Sequence, residues 1–260
     1  MLIFQTIAQF RRRWRAVERG HAQAIRSAVL AAAVGLVGGA LATECPPVRP
    51  THIPEASSPL NLDKVKDELR AYHAQFYDAD IVAVVGDATD YLGRRAGQVT
   101  KPALVLDIDE TSLSNWPNIA ANDLGFVLGG PCKQLPKGPC GFTAWEFSSK
   151  AGAIAPTLDL FRAAKAHGVA VLFITGRHER ERTVTVRNLR REGFTGWTRL
   201  ILRADDDTKR TVLEFKSGER AKIAAGGYTI IVNVGDQQSD VDGGSAECTF
   251  KLPNPFYFIP

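Results

Sequence analysis

The 260-residue chain has no pair of cysteines at zinc-binding spacing, and its five histidines are scattered, so a Cys/His zinc site is excluded. It has no internal repeat and no low-complexity tract, which sets aside repeat architectures and compositionally biased disorder. The uncharged run Ser27–Ala42 has 16 residues, short of the ~20 that cross a bilayer core comfortably. Hydrophobic residues make up 45% of the chain and no residue type dominates. One domain with a sizeable core is therefore expected.

A basic surplus is also missing once its location is considered. The formal charge is +4, but residues 1–42 hold six arginines (Arg11, Arg12, Arg13, Arg15, Arg19, Arg26) against Glu18 alone. The remainder carries 26 basic and 27 acidic residues. Outside the N-terminus there is no electrostatic reason to bind a nucleic acid polymer.

A basic leader, an apolar run and the ending Ala40-Leu41-Ala42 read as an export signal cleaved after Ala42, which leaves no membrane contact. The alternative is an uncleaved membrane anchor. The protein is thus expected in the periplasm or secreted. Cys45 is not a lipid-attachment site, because charged Glu44 precedes it where such signals carry a small residue. Four cysteines in an exported chain suggest two disulfides with three possible pairings. Cys132 and Cys140 flank a short Pro/Gly-containing loop and are the first expected pair. Cys45 with Cys248 follows only by elimination, and a free buried thiol at Cys248, in an apparent strand, is the alternative.

Residues 43–59 contain five prolines and read as an extended lead-in to a domain over 60–260. A helix is predicted from Asn61, with Leu62, Val65, Leu69, Tyr72 and Phe76 on one apolar face, and a second around Ile81–Arg95. Short apolar runs predict strands at Ala103–Leu106, Val169–Ile174, Leu200–Leu202, Tyr228–Val234 and Thr249–Leu252. Helical patterns lie between them at Pro156–His167, Arg180–Glu192 and Ser217–Ala225. Residues 112–154 show no clear periodicity and look like an insertion. Strands alternating with helices imply an α/β fold, a parallel sheet covered on both faces.

Acid-bearing motifs follow two of these strands, Asp107-Ile108-Asp109 and Gly235-Asp236-Gln237-Gln238-Ser239-Asp240, and Thr175-Gly176-Arg177 follows a third. Ligands in open parallel sheets bind beyond the carboxyl ends of the strands, so the three motifs can converge. Gathered carboxylates repel one another and call for a cation, and their hard oxygens suit Mg²⁺, which shares its shell with phosphate. A carboxylate can attack phosphorus, and a second one nearby can protonate the leaving oxygen and later activate water. A hydroxyl and an ammonium would complete phosphoryl binding: Thr175 supplies the first, and Lys216 is the better candidate for the second than Lys209.

In order and spacing, Asp107-Ile108-Asp109-Glu110-Thr111, Thr175-Gly176-Arg177, Lys216 and Gly235-Asp236 through Asp240 resemble the four motifs of the haloacid dehalogenase (HAD) superfamily. Phe215-Lys216-Ser217-Gly218-Glu219-Arg220 and Lys251-Leu252-Pro253-Asn254-Pro255-Phe256-Tyr257 look like its acid phosphatase branch, which holds plant vegetative storage proteins and bacterial outer-membrane acid phosphatases. The resemblance implies a Rossmann-like HAD fold over residues 60–260, with residues 112–154 as a small cap. It implies an Mg²⁺-dependent hydrolysis of small phosphate monoesters, with Asp107 as nucleophile and Asp109 as general acid/base. Thr175 and Gly176 would bind the phosphoryl group and Lys216 would balance its charge. Asp107, the Asp109 main-chain carbonyl and Asp236 would hold the metal, with Asp240 as a further or nearby ligand. Trp116, Phe142 and Trp145 would serve cap packing or contact the leaving group. A storage protein on the same fold, or phosphotransfer to an alcohol, are the alternatives.

Overall fold

The computed structural model describes residues 44–47 and 61–259. The export-signal segment 1–42 and most of the lead-in 43–59 therefore lie outside the described residues. Among the described residues no helix is long and apolar enough to cross a membrane.

Among the described residues, helices α1 (Leu62–Gln75) and α2 (Tyr77–Arg95) come first. Asn61 starts α1 by accepting the Asp63 N–H at 3.0 Å. The α1 stripe is narrower than its periodicity predicts: Tyr72 is buried, Val65 and Leu69 are half-buried, and Leu62 and Phe76 are exposed. Phe76 leaves the stripe because it caps α1 with a φ of −127°, which breaks the helical register. In α2, Ile81, Val84, Val85, Ala88 and Leu92 are buried at helical spacing and form part of the main core.

The remaining elements are β1 (Pro102–Leu106), β2 (Leu113–Ser114), α3 (Trp116–Ala121), α4 (Phe142–Ser148), β3 (Gly152–Ala153), α5 (Ala155–Ala166) and β4 (Ala170–His178). They are followed by α6 (Arg182–Arg191), β5 (Arg199–Arg203), α7 (Val212–Ala225), β6 (Thr229–Gly235), α8 (Gln238–Val241) and β7 (Cys248–Lys251). Five strands form one parallel sheet in the order β5-β4-β1-β6-β7. The chain leaves β1 toward β4 and β5, then returns to the other side of β1 with β6. That reversal opens a crevice at the carboxyl end of β1, where α/β sheets bind ligands.

Strand β1 is apolar throughout because both of its faces are covered. Leu104 and Leu106 join the core cluster that holds residues of α2 and α5, whereas Ala103 and Val105 pack with Phe215 and Ile223 of α7. Burying each such leucine or valine contributes about 1.5–3 kcal/mol. Helix α7 begins five residues before the predicted start, at Val212. Thr211 and Glu214 form a capping box, with Thr211 Oγ1 accepting the Glu214 N–H at 3.1 Å and Glu214 Oε2 accepting the Thr211 N–H at 2.7 Å. The segment between β1 and α5 is closed at its base by the antiparallel pair β2–β3, through Leu113 opposite Ala153.

Both disulfides pair as the sequence suggested, Cys132 with Cys140 and Cys45 with Cys248, and no described cysteine is free. The second ties the lead-in to β7, an edge strand, across a separation of 203 residues. Replacing Cys45 and Cys248 together by Ala is expected to cost about 2–5 kcal/mol, since so long a loop strongly restricts the unfolded chain. Thermal unfolding of this variant should match wild type whose disulfides have been reduced at that position. Unchanged stability would mean that β7 is held without the staple.

Candidate active site

The carboxyl ends of β1, β4 and β6 meet at a cavity of about 250 Å³ whose lining includes Asp107, Asp109, Gly176, Arg177, Lys216 and Asp236. Asp107 and Asp109 follow β1, Gly176 and Arg177 lie near the end of β4, which runs on to His178 instead of ending before Thr175, and Asp236 follows β6. Lys216 reaches in from α7, and Asp240 sits buried behind it on α8. Thr175 stands behind Gly176, fully buried, with its hydroxyl accepting the Arg177 N–H at 3.1 Å. Lys209 is exposed, so of the two candidate lysines it is Lys216 that reaches Asp107.

Lys216 Nζ donates to Asp107 Oδ1 at 2.6 Å and also to Asp240 Oδ1. Burial alone would lower its basicity, but Asp107 and Asp240 together raise it well above the ordinary lysine value, so the side chain is an ammonium. Asp107 is pushed well above the carboxylate range by burial; Lys216 opposes the shift, and Asp240, Asp236 and Asp109 add to it. Asp236 is raised to about 7, by burial first and then by Asp240. Its side-chain donors Thr111 Oγ1 at 3.1 Å, Gln237 Nε2 at 2.6 Å and Asn254 Nδ2 at 2.8 Å are all neutral. Asp240 can approach β6 this closely only because residue 235 is glycine; the Cβ of any other residue there would collide with the Asp240 side chain. Buried Arg220 holds the following turn by donating to the Asp240, Asp242 and Gly244 carbonyls.

Carboxylate oxygens of Asp107, Asp236 and Asp240 lie within 4.8 Å of one another, and all three residues are buried. One ammonium against three carboxylates leaves excess negative charge away from water, which is costly without a further cation. Anionic oxygen donors so close together fit a hard divalent ion. The Asp109 carboxylate is outside this group.

Asp109 is held by different partners. Arg177 grips it with two bonds, Nη2 to Oδ1 at 2.6 Å and Nε to Oδ2 at 3.0 Å, and Asn115 Nδ2 adds a third to Oδ1 at 2.9 Å. Burial would raise the Asp109 carboxyl, but Arg177 and Asn115 outweigh it and hold it below the usual range. Glu146 Oε1 also lies 3.2 Å from Arg177 Nε. Burial pushes the Glu146 carboxyl up to about 9 despite Arg177, with Asp109 adding to the rise. Glu110 takes a left-handed φ of 51° directly after Asp109. Its carboxylate accepts from the Asn115 main chain at 2.5 Å, from Asn115 Nδ2 at 3.0 Å and from the Tyr257 hydroxyl at 2.6 Å, bonds that hold this sparsely populated conformation.

Arg177 and Tyr257 lie inside recognisable motifs, but nothing in those motifs marks what they contact. Asn115 and Glu146 lie in the aperiodic insertion, where nothing local marks them. Of Trp116, Phe142 and Trp145, only Phe142 lines the cavity. Trp116 instead stacks on His73 with ring centroids 3.5 Å apart, and Trp145 donates Nε1 to Asn115 Oδ1 at 2.7 Å. The apolar wall includes Phe126, Leu128, Phe142, Tyr257 and Ile259, and Phe126 contacts both Phe142 and Tyr257 with ring centroids about 5 Å apart.

Residues 51–260 match the family model described as HAD superfamily, subfamily IIIB (Acid phosphatase). The chain is 35% identical to Acid phosphatase 1 of Solanum lycopersicum over 185 residues, covering 70% of this chain and 69% of the relative. It is 29% identical to Vegetative storage protein 1 of Arabidopsis thaliana over 214 residues, covering 79% and 76%. In fold it resembles the class C acid phosphatase of Bacillus anthracis, with a TM-score of 0.59 and 23% identity over 74% of this chain and 86% of that one.

Proposed function

This chain belongs to the subfamily IIIB acid phosphatases of the HAD superfamily, and from that premise we propose that it is an exported Mg²⁺-dependent acid phosphatase working through an aspartyl-phosphate. The observation that carries the mechanism is Asp107 at the end of the central strand, facing the cavity, 2.6 Å from the Lys216 ammonium.

Asp107 Oδ attacks the phosphorus, and the bond from phosphorus to the ester oxygen breaks. Asp109, which takes up a proton when the phosphoryl dianion adds its charge to the site, gives that proton to the ester oxygen, so the alcohol leaves neutral. Asp109, now ionised and gripped by Arg177 and Asn115, takes a proton from water, whose oxygen attacks the same phosphorus. The acyl-phosphate bond breaks, releasing inorganic phosphate and restoring Asp107. Lys216 offsets the negative charge that the phosphoryl group brings to Asp107, and Thr175 with Gly176 supplies the strand end that receives its oxygens. Asp107, Asp236, Asp240 and the Asp109 main-chain carbonyl would hold Mg²⁺, which supplies Lewis-acid neutralisation of the phosphoryl oxygens when bound. Residues 112–154 act as the cap, because Phe126, Leu128, Phe142, Thr143 and Glu146 from this segment line the cavity.

The cavity volume favours small phosphate monoesters over polymers. Two disulfides and the leader-like segment 1–42 support a periplasmic or secreted location.

A storage role is the second reading, favoured by the likeness to a vegetative storage protein. The test is phosphate release from p-nitrophenyl phosphate, glycerol phosphate and a nucleotide at acidic pH, after chelation and again with Mg²⁺ restored. Turnover that returns with Mg²⁺ is expected. Vanadate binding without turnover on any substrate would favour storage, and phosphate appearing on added glycerol would identify phosphotransfer.

A further inference from the structure

We infer that Trp145 and Glu146, adjacent residues on α4, are positioning residues for Asp109, so that the segment lining the leaving-group side of the cavity also sets the acid/base. The inference rests on the acid/base role proposed above for Asp109.

The geometry follows from who holds the holders. Asp109 has two donor residues, Arg177 and Asn115, and α4 grips both. Glu146 Oε1 meets Arg177 Nε at 3.2 Å, on the nitrogen that also serves Asp109 Oδ2. Trp145 Nε1 donates to Asn115 Oδ1 at 2.7 Å. An indole nitrogen only donates, so this bond decides which end of the amide faces it and turns Nδ2 toward Asp109. The Glu110 carboxylate, accepting from the same Nδ2 at 3.0 Å, agrees with that orientation.

Every member of this network except Asp109 is buried; the Asp109 carboxylate keeps 17% side-chain exposure, at the cavity. From the β4–α6 side, Thr185 Oγ1 accepts from Arg177 Nη1 at 3.2 Å, which gives the guanidinium a third partner. Helix α4 also presents Phe142 and Thr143 to the cavity. The distance along the chain from leaving-group wall to acid holder is thus one helical turn. Ser149, just after the helix, is tied to α6 through the Val184 carbonyl at 2.9 Å and Arg187, so α4 is seated on the core. A carboxyl group held in one orientation loses little freedom at the moment of proton transfer, which is where such positioning acts.

The test is leaving-group dependence. A nitrophenolate departs readily without a proton, whereas the alkoxide of glycerol phosphate requires one, so mispositioned acid slows only the second. Leaving-group release is measured in single turnover, so that breakdown of the phosphoenzyme does not enter. Glu146→Ala and Trp145→Phe are expected to slow glycerol phosphate by about 10- to 100-fold, a fraction of the usual effect of a general acid, and p-nitrophenyl phosphate by less than about threefold. Glu146→Gln should restore the alkyl rate, because the amide keeps a polar oxygen of the same reach beside Arg177 Nε. Asp109→Asn should show the same selectivity, larger. If Asp109→Asn slows both substrates equally, the acid/base assignment itself is wrong. If it is selective but the α4 variants are not, or if Gln fails to rescue, the positioning role alone is overturned. Should Trp145→Phe not fold, the Glu146 pair decides the question.

Discussion

Asp107→Asn is expected to abolish phosphate release while leaving the metal-free protein as stable as wild type, or more stable. The loss should reach at least about a thousandfold, because an amide cannot replace the attacking carboxylate and no other group at the site can substitute for a missing nucleophile. The stability follows from crowding. Asp107 is buried beside Asp236 and Asp240, and burial and repulsion together disfavour its charged form. Asn keeps the shape, removes one of three clustered charges, and leaves Lys216 its bond to Asp240. Functional sites often hold groups that cost stability, and their replacement is commonly neutral or stabilising. The measurements are single-turnover phosphate release and thermal unfolding in chelator. A fall in Tm equal to that of a broken buried ion pair would mean that the Asp107–Lys216 attraction outweighs the carboxylate repulsion.

Lys216→Met is expected to do the opposite and compromise the fold as well as activity. Methionine occupies similar volume but leaves Asp107 and Asp240 buried without their shared cation. Removing one partner of a buried ion pair costs about 3–5 kcal/mol, since the remaining charge is neither solvated nor paired. Mg²⁺ should return part of this: a ligand at 100 times its Kd stabilises by about 2.7 kcal/mol. The midpoint of urea unfolding, followed across an Mg²⁺ titration, reads both effects. A Lys216→Met protein insensitive to Mg²⁺ would argue against a cation among Asp107, Asp236 and Asp240. Lys209→Met is the control; that side chain is exposed, and its loss should matter by no more than about 0.5 kcal/mol.

Helix boundaries were less legible than strands. The β1 run Ala103–Leu106 was readable because a strand covered on both faces must be apolar at every position. Apolar periodicity places the start of α7 near Ser217, whereas Thr211 and Glu214 at capping-box spacing set it at Val212, which explains how Lys216 comes to lie inside the helix. Periodicity overestimated the α1 stripe, because a repeat of apolar residues does not reveal that the helix ends at Phe76 and a new one begins at Tyr77.

By itself the sequence determined the α/β class, the order of the motifs and the carboxylates at the strand ends, because strand periodicity and short motifs are local properties of the chain. Only the tertiary structure decided which lysine meets Asp107, that Arg177 grips Asp109, and that Trp145 and Glu146 stand behind the residues holding it. Those partners are 30 to 109 residues apart along the chain. Their bonds depend on buried side chains meeting from different elements, and no local pattern along the chain records such a meeting.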